Sequence, residues 1–372
     1  MFKRLTVGHA LIGLVWAALL AIGLWGVWMR LATGHVLADY GSYVPWGLWV
    51  AAYIYFAGLS AGAFLVAGLR YAFKIEALKP VGRLSLVTAL VSLLLALMIV
   101  AFDLGHMWRS VYVFVYSSFS SMMAWMVWLY LLYGVVLVFA LYFALKRDEA
   151  RTRFFVLLGL PLIVFYPGGA GALFGTVIAQ DLWHSPVYPL LFLAGGLLSG
   201  VALMTAIAGL GLPQHRTTVT FLGRVTLVFI LLYALLEWAE YSIPLWYGVG
   251  HEYEALVGVL FGQFWYVFWI FHVLAGMVIP LLLLWLAPNH PRLVGVAGLL
   301  VAVSFLSARL NLVIPSQVQP QLQGLLDAYQ DARLTFAYMP SFFEWSVLAF
   351  AVAVGAALVF LSDRLLIRKE VA

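Results

Sequence analysis

The sequence predicts an all-α polytopic membrane protein with ten transmembrane helices, and three observations predict it. Of the 372 residues, 65% are hydrophobic and only 9% charged, where a soluble domain carries roughly 25% charged residues. Several uninterrupted apolar runs reach the roughly 20 residues that cross a bilayer core as helix. Lysine and arginine also alternate in abundance between the loops, as they do in a chain threaded back and forth through a membrane. Barrel strands would be about ten residues long and alternating, so the spans are helices.

Reading apolar runs against charged breaks places the spans in order. The first, 8–30, follows MFKRLTVGH and holds Trp16, Trp25 and Trp28. It is too long for a secretory signal and lacks a small-residue cleavage site, so it is read as a retained helix. The second, 43–72, contains YFAGLSAGAFLVAGL, and the third, 83–105, runs into AFDLGHMWRS. The fourth and fifth cover 118–146 and 153–177, the latter with FYPGGAG. The sixth, 186–210, contains LAGGLLSGVALMTAI, and the seventh, 217–242, ends in LLEWAEYSIP. The eighth, 257–287, is centred near His272; the ninth, 291–312, closes with SARLNLVIP; the tenth covers 341–367.

Ten spans put both termini on one side. That side receives Lys3, Arg4, Arg70, Lys74, Lys79, Arg83, Lys146, Arg147, Arg151, Arg153, Arg216, Arg224, Arg292, Arg364, Arg368 and Lys369. The other receives Arg30, Arg109, Arg309 and Arg333. The positive-inside rule therefore makes the termini cytoplasmic and turns AFDLGHMWRS outward. The net charge of +5 follows from this topology and is not read as a nucleic-acid footprint. The chain has no cysteine, which removes disulfides, thiolate nucleophiles and iron–sulfur ligation together.

An internal repeat organises the spans. The second and sixth helices each carry a GxxxG, Gly58 to Gly62 and Gly196 to Gly200, and small residues one turn apart let backbones approach closely in lipid. Helices 2–5 and 6–9 read as two related four-helix bundles, 43–177 and 186–312. Residues 1–42 supply one peripheral helix and 341–372 the other. Between them 313–340 is the longest outer loop, Gln-rich and partly amphipathic, and is expected to form part of a platform for a partner.

Ionisable residues at membrane depth are the informative ones, since a charge at the bilayer centre costs roughly 2.5–3.5 kcal/mol even on the lenient insertion scale. Asp103 and His106 stand three apart near the outer end of the third helix, expected on one face. Glu237, Glu240 and Tyr241 make a similar stripe near the outer end of the seventh, its counterpart in the repeat. His272 lies mid-span, Arg309 and Asn311 close the ninth helix, and Tyr166, Asp181 and His184 gather at the same outer level. Plainer readings compete with function: an interfacial ion pair of Asp103 with Arg109, hydrogen-bonded neutral carboxyls, and a packing histidine. Trp46, Trp49, Trp125 and Trp128 fit the ordinary aromatic belt.

Acids, histidines and phenols at the rim of an apolar bundle suit a lipid-soluble substrate that exchanges protons as it reacts. Quinol oxidation releases two protons with two electrons and needs acceptors tuned by their surroundings. Haem would need facing histidine pairs at matched depth, a poor fit to His106, His184, His251 and His272. A proton-coupled transporter using Glu237, Glu240 and His272, or a purely structural membrane anchor, are the other classes compatible with this pattern.

VPWGLWVAAYIYFAGLSAGAF, DLGHMW, YPGGAGALFGTVIAQDLWHSPVYPLLFLAGGLLSG, RLNLVIP and YMPSFFEW, in that order, resemble the NrfD/PsrC family of quinone-interacting membrane subunits. Within it they resemble the ten-helix branch of HybB, DsrP and alternative-complex-III-like proteins. The resemblance implies a subunit of the prokaryotic cytoplasmic membrane, free of haem and clusters, that exchanges electrons between menaquinone or ubiquinone and a periplasmic four-cluster ferredoxin-like subunit. A further catalytic or multihaem cytochrome subunit would complete the complex. Tyr166 matches the family tyrosine that contacts the quinone head group. Tyr53 stands where polysulfide reductase has a histidine, a departure, since a phenol donates a hydrogen bond but takes no proton at neutral pH. The family's acid matches Asp103. The implied quinone site comprises Tyr53, Tyr166, Asp103, His106, Arg109 and His184, with Asp103, His106, Glu237 and Glu240 handling protons.

Overall fold

A computed structural model of the chain describes residues 7–320, 324, 328 and 334–364. Among these the regular structure is helical, and ten helices are long and apolar enough to cross a membrane. They are α1 (Val7–Thr33), α2 (Leu48–Tyr71), α3 (Gly82–Asp103), α4 (Met122–Leu145) and α5 (Glu149–Gly175). The second five are α6 (Tyr188–Gly211), α7 (Arg216–Tyr247), α8 (Val267–Leu286), α9 (Pro291–Val313) and α10 (Phe342–Ser362).

Local chemistry sets several helix ends. The Asp148 carboxylate accepts from the Arg151 backbone N–H at 3.0 Å and starts α5. Ser341 and Glu344 form a reciprocal capping box that starts α10, answering the orphan N–H groups of the first turn. Gly248, left-handed at φ 67°, ends α7. The last turn of α6, Ile207–Gly211, and most of α8, Val267–Val278, are wound as π-helix.

The most enclosed helices are α2 and α6, with 83% and 72% of their apolar windows buried, against 11% for α1 and 33% for α10. Helix α2 packs on α3, α5 and α6; α6 packs on α5, α7 and α9. Helix α4 lies against α3 and α5, and α8 against α7 and α9. Helices α1 and α10 pair with each other and reach the remainder largely through α10 on α3.

The two GxxxG stretches face each other. A Cβ on Gly58 would lie 2.7 Å from the Gly196 Cα, and one on Gly62 would lie 2.6 Å from the Gly200 Cα. Backbone therefore meets backbone where α2 crosses α6, the close approach that small residues permit in lipid. At the opposite end of α2 from the site below, Arg70 ties the helix to Glu149 at 3.1 Å and Glu76 at 3.5 Å.

Three boundaries depart from the sequence reading. Helix α3 ends at Asp103, with Leu104 extended (φ −66°, ψ 130°), so Asp103 and His106 are not on one helical face. The expected eighth span divides into a separate helix, His251–Leu260, and α8, and α7 runs on to Tyr247. The outer loop at 313–340 falls partly outside the described residues, as do Arg333 and the chain termini.

Candidate functional site

Three polar groups stand out against the apolar bundle. The first is a cluster of phenols inside α2, α4 and α5. Tyr53 on α2 and Tyr130 on α4 share one hydrogen bond of 2.9 Å. Tyr130 and Tyr133, three apart, present one face of α4, and their ring centroids lie 5.1 and 4.8 Å from that of Tyr166. Tyr166 is wholly buried and donates to the Ala57 carbonyl at 2.6 Å. Tyr133 pairs with Ser60 at 3.0 Å, and Ser60 donates to the Ala89 carbonyl at 2.7 Å. Tyr53 is the donor in this bond, which leaves the Tyr130 O–H to donate elsewhere; Tyr130 is buried and Tyr53 half-buried.

The second group sits at the end of α3, where the loop after α1 and the start of α10 converge. Arg30 donates from Nε to the Phe102 carbonyl at 2.6 Å and from Nη2 to the Leu104 carbonyl at 2.7 Å. The first carbonyl belongs to the last turn of α3 and the second to the residue just past it, where acceptors lack helical partners and the dipole favours a cation. The same Nη2 bonds His35 Nε2 at 2.8 Å, and His35 Nδ1 makes a short contact with the Tyr40 hydroxyl. Burial first, then Arg30, lowers the His35 pKa. Burial together with Asp103 and Glu344 raises that of Tyr40.

Glu344, fully buried, receives the Asp39 backbone N–H at 3.0 Å, the Ser341 N–H at 3.2 Å and a short bond from the Tyr338 hydroxyl. Burial and this carboxylate raise the Tyr338 pKa. Asp103 lies beside this network, under the electrostatic influence of Arg30 and Glu344, and its buried Oδ1 has no hydrogen-bond partner among the described residues.

The third group lies within α6 to α9. His272 Nε2 bonds both oxygens of Glu237, at 2.8 and 3.0 Å, and neither residue is more than 8% exposed. Tyr233 Oη reaches Glu237 at 3.5 Å. Arg309, also buried, donates to the Phe192 carbonyl at 3.2 Å and lies 5.0 Å from that ring. The Asn311 amide and His272 Nδ1 are buried without partners among the described residues. Glu240 accepts from Ser185 at 2.7 Å. His272 sits in the π-wound part of α8, a winding that recurs at functional sites.

The sequence-derived residues divide accordingly. Tyr53 and Tyr166 fall in one cluster, Glu237 and Glu240 neighbour each other on α7, and Asp103 stands at the junction of α1, α3 and α10. His106 and Arg109 are exposed beyond the end of α3, and among the described residues no ion pair joins Arg109 to Asp103. His184 is exposed and bonds the Gly175 carbonyl through Nδ1 at 2.8 Å. The Asp181 side chain lies outside the described residues.

Sequence reasoning passed over Arg30, His35, Tyr40, Tyr130, Tyr338 and Glu344 as site residues. Signals pointed to two of them: Arg30 is a rare basic residue on the minority side, and SFFE in YMPSFFEW, which ends at Glu344, has capping-box spacing.

A family model described as polysulphide reductase, NrfD, matches residues 36–321. A selenate reductase subunit of Mesobacillus selenatarsenatis is 32% identical, over 87% of this chain and 86% of that protein. An Hdr-like menaquinol oxidoreductase integral membrane subunit of Archaeoglobus fulgidus is 28% identical, over 81% and 79%. Protein NrfD of Escherichia coli is 27% identical, over 64% of this chain and 83% of that protein.

Proposed function

The chain belongs to the NrfD, polysulphide reductase, family, and from that premise we propose that it is the membrane subunit of a respiratory oxidoreductase complex that binds quinone or quinol. The quinone site lies in the first bundle, and the electrons are exchanged with a periplasmic iron–sulfur subunit. The phenol cluster carries this reading. Tyr53 donates to Tyr130, so Tyr130 holds a spare O–H beside half-buried Tyr53 and among aromatic rings, which fits a quinone oxygen and a flat head group. Tyr166, whose proton is committed to Ala57, acts as a wall and acceptor behind them. A bound quinol supplies two electrons and two protons per turnover.

The chain's own residues then orient the head group through Tyr53 and Tyr130 and exclude water with the α4 and α5 rings. They accept a proton at Asp103, whose Oδ1 is uncommitted among the described residues. Without cysteine the chain offers no thiolate ligand for a cluster, so electrons pass to a partner. The Lys/Arg distribution favours turning the Asp103 end outward, toward that partner. The helix pairings support reading α2–α5 and α6–α9 as two related bundles. In the second, the Glu237–His272 pair and Glu240 are suited to hold a proton.

Quinol turnover of the assembled complex tests the site. Tyr130→Phe should raise KM for quinol roughly 2- to 10-fold, the loss of one neutral hydrogen bond, and Tyr53→Phe, which removes the donor that orients the Tyr130 hydroxyl, should raise it less. Tyr112→Phe, exposed on the surface, should leave it unchanged. An unaltered KM in both cluster variants would exclude the phenols as the head-group site.

A further inference from the structure

The family model begins at residue 36 and stops at 321, so α1, His35, Tyr338 and α10 all lie outside it. These elements pack on α3 and α2, and their polar side chains gather at the end of α3. Arg30 brackets Asp103 by bonding the carbonyls of both its neighbours, Phe102 and Leu104.

The hydrogen bonds fix the protonation of His35. A guanidinium N–H can only donate, so His35 Nε2, 2.8 Å from Arg30 Nη2, is the acceptor. The neutral ring then carries its proton on Nδ1 and directs it at the Tyr40 oxygen. His35 is thereby a fixed acceptor that seats the guanidinium and leaves the Tyr40 O–H free to donate. Of the five guanidinium N–H groups, those bonds use Nε and Nη2 and leave Nη1 uncommitted among the described residues. Asp103, the residue between those two carbonyls, has an Oδ1 that is buried and uncommitted as well among the described residues.

Among the described residues the charged and titratable groups that act on Asp103 are Arg30 from α1, which His35 bonds, Tyr40 from the following loop, and Glu344 from α10, which Tyr338 bonds. Glu344 already receives donors from Asp39, Tyr338 and Ser341. Arg30 is left as the cation that balances Asp103.

We infer that α1 and α10 form a positioning device for Asp103, in which Arg30, seated by His35, sets the pH at which the Asp103 carboxyl releases its proton during quinol turnover. Arg30 and His35 are positioning residues, and the inference rests on the proton-accepting role proposed above for Asp103. The simpler role for Arg30, capping the carbonyls of α3, makes a different prediction, because a cap has no pH dependence of its own.

The test is the pH profile of quinol oxidation by the assembled complex, with Asp103→Asn measured first. Retained turnover in Asp103→Asn would remove the proton role of Asp103, and with it the basis of the inference. If that variant is inactive, Arg30→Gln and Arg30→Lys follow. Glutamine keeps amide donors for the α3 carbonyls but removes the charge, and a carboxyl deprived of its cation holds its proton to higher pH. The acid limb should move up by about one pH unit, a tenfold loss of rate on that limb, while Arg30→Lys should restore it toward the original position. Where Arg30→Gln does not assemble, His35→Phe keeps the charge but removes its seat, and a smaller shift in the same direction is expected. An unmoved profile in the variant that assembles would overturn the inference and leave Arg30 as a helix cap, with the Asp103 reading intact.

Discussion

Placing a methyl group where α2 crosses α6 is the sharpest structural perturbation available. A Cβ on Gly62 would lie 2.4 Å from the Leu197 carbonyl oxygen, 2.6 Å from the Gly200 Cα and 2.8 Å from the Val201 nitrogen. All three are backbone atoms and cannot rotate away, whereas ordinary contact begins near 3.4 Å. Gly62→Ala therefore forces the two central helices apart by about 1 Å, and overpacking of this kind costs about 1–3 kcal/mol. Lipid supplies no hydrophobic drive to press the helices back together. Alanine itself favours helix by about 1 kcal/mol over glycine, so the fitting control is Gly13→Ala, whose Cβ would meet nothing within 4 Å. The difference between the two variants isolates the clash.

The assay is unfolding of the purified chain in mixed micelles, with quinol turnover of the assembled complex measured in parallel. Gly62→Ala should be less stable than Gly13→Ala by about 1–3 kcal/mol. Because a Cβ on Gly200 meets the same backbone from the other side, the double variant Gly62→Ala/Gly200→Ala should cost less than the sum of the singles. Equal stability of Gly62→Ala and Gly13→Ala would refute backbone contact at this crossing.

Three further outcomes are expected. Glu237→Ala strips the Nε2 partner from a fully buried His272 whose Nδ1 already has none among the described residues. It should lower stability by about 3–5 kcal/mol, with Glu237→Gln markedly milder, in thermal denaturation of the purified chain. The pKa of His35 is lowered in the folded chain, so below the ordinary value of about 6.5 the unfolded chain binds the extra proton first. Stability should be flat above that value, fall as pH drops below it, and level off once the folded ring titrates; His35→Gln should flatten this part of a melting-temperature profile between pH 5 and 8. The absence of native cysteine makes single-cysteine labelling direct. Trp108→Cys and Lys146→Cys, at opposite ends of the bundle, should react with an impermeant maleimide from opposite faces of sealed vesicles, Trp108→Cys from outside. The reverse pattern would invert the orientation read from the Lys/Arg distribution.

The phenol cluster shows how partial the sequence view of the site was. Tyr53 and Tyr166 were found because they sit in recognisable stretches, YIYFAGLSAG and FYPGGAG. Tyr130, which bonds Tyr53, lies in the featureless apolar run MVWLYLLYGVV, where nothing local distinguishes a phenol turned inward from one at a lipid face. His106 failed as a partner for Asp103 for a single geometric reason. The i to i+3 relation holds only within a helix, and α3 ends at Asp103. His35 was invisible because its role comes from Arg30 and Tyr40, and the Arg30 anchor at the end of α3 lies more than seventy positions along the chain.

What the sequence by itself determined was the ten-helix architecture and the family. Hydropathy summed over some twenty residues, the side preference of Lys and Arg, and the spacing of small residues are local properties, and each survives whatever the helices pack against. Only the tertiary structure decided which polar groups meet: Tyr53 with Tyr130, Glu237 with His272, and Arg30 with the carbonyls on either side of Asp103. Those pairings depend on the rotation of each helix about its own axis and on where its last turn stops. Both are set by backbone contacts such as Gly62 on Gly200, between residues that are neighbours only after folding.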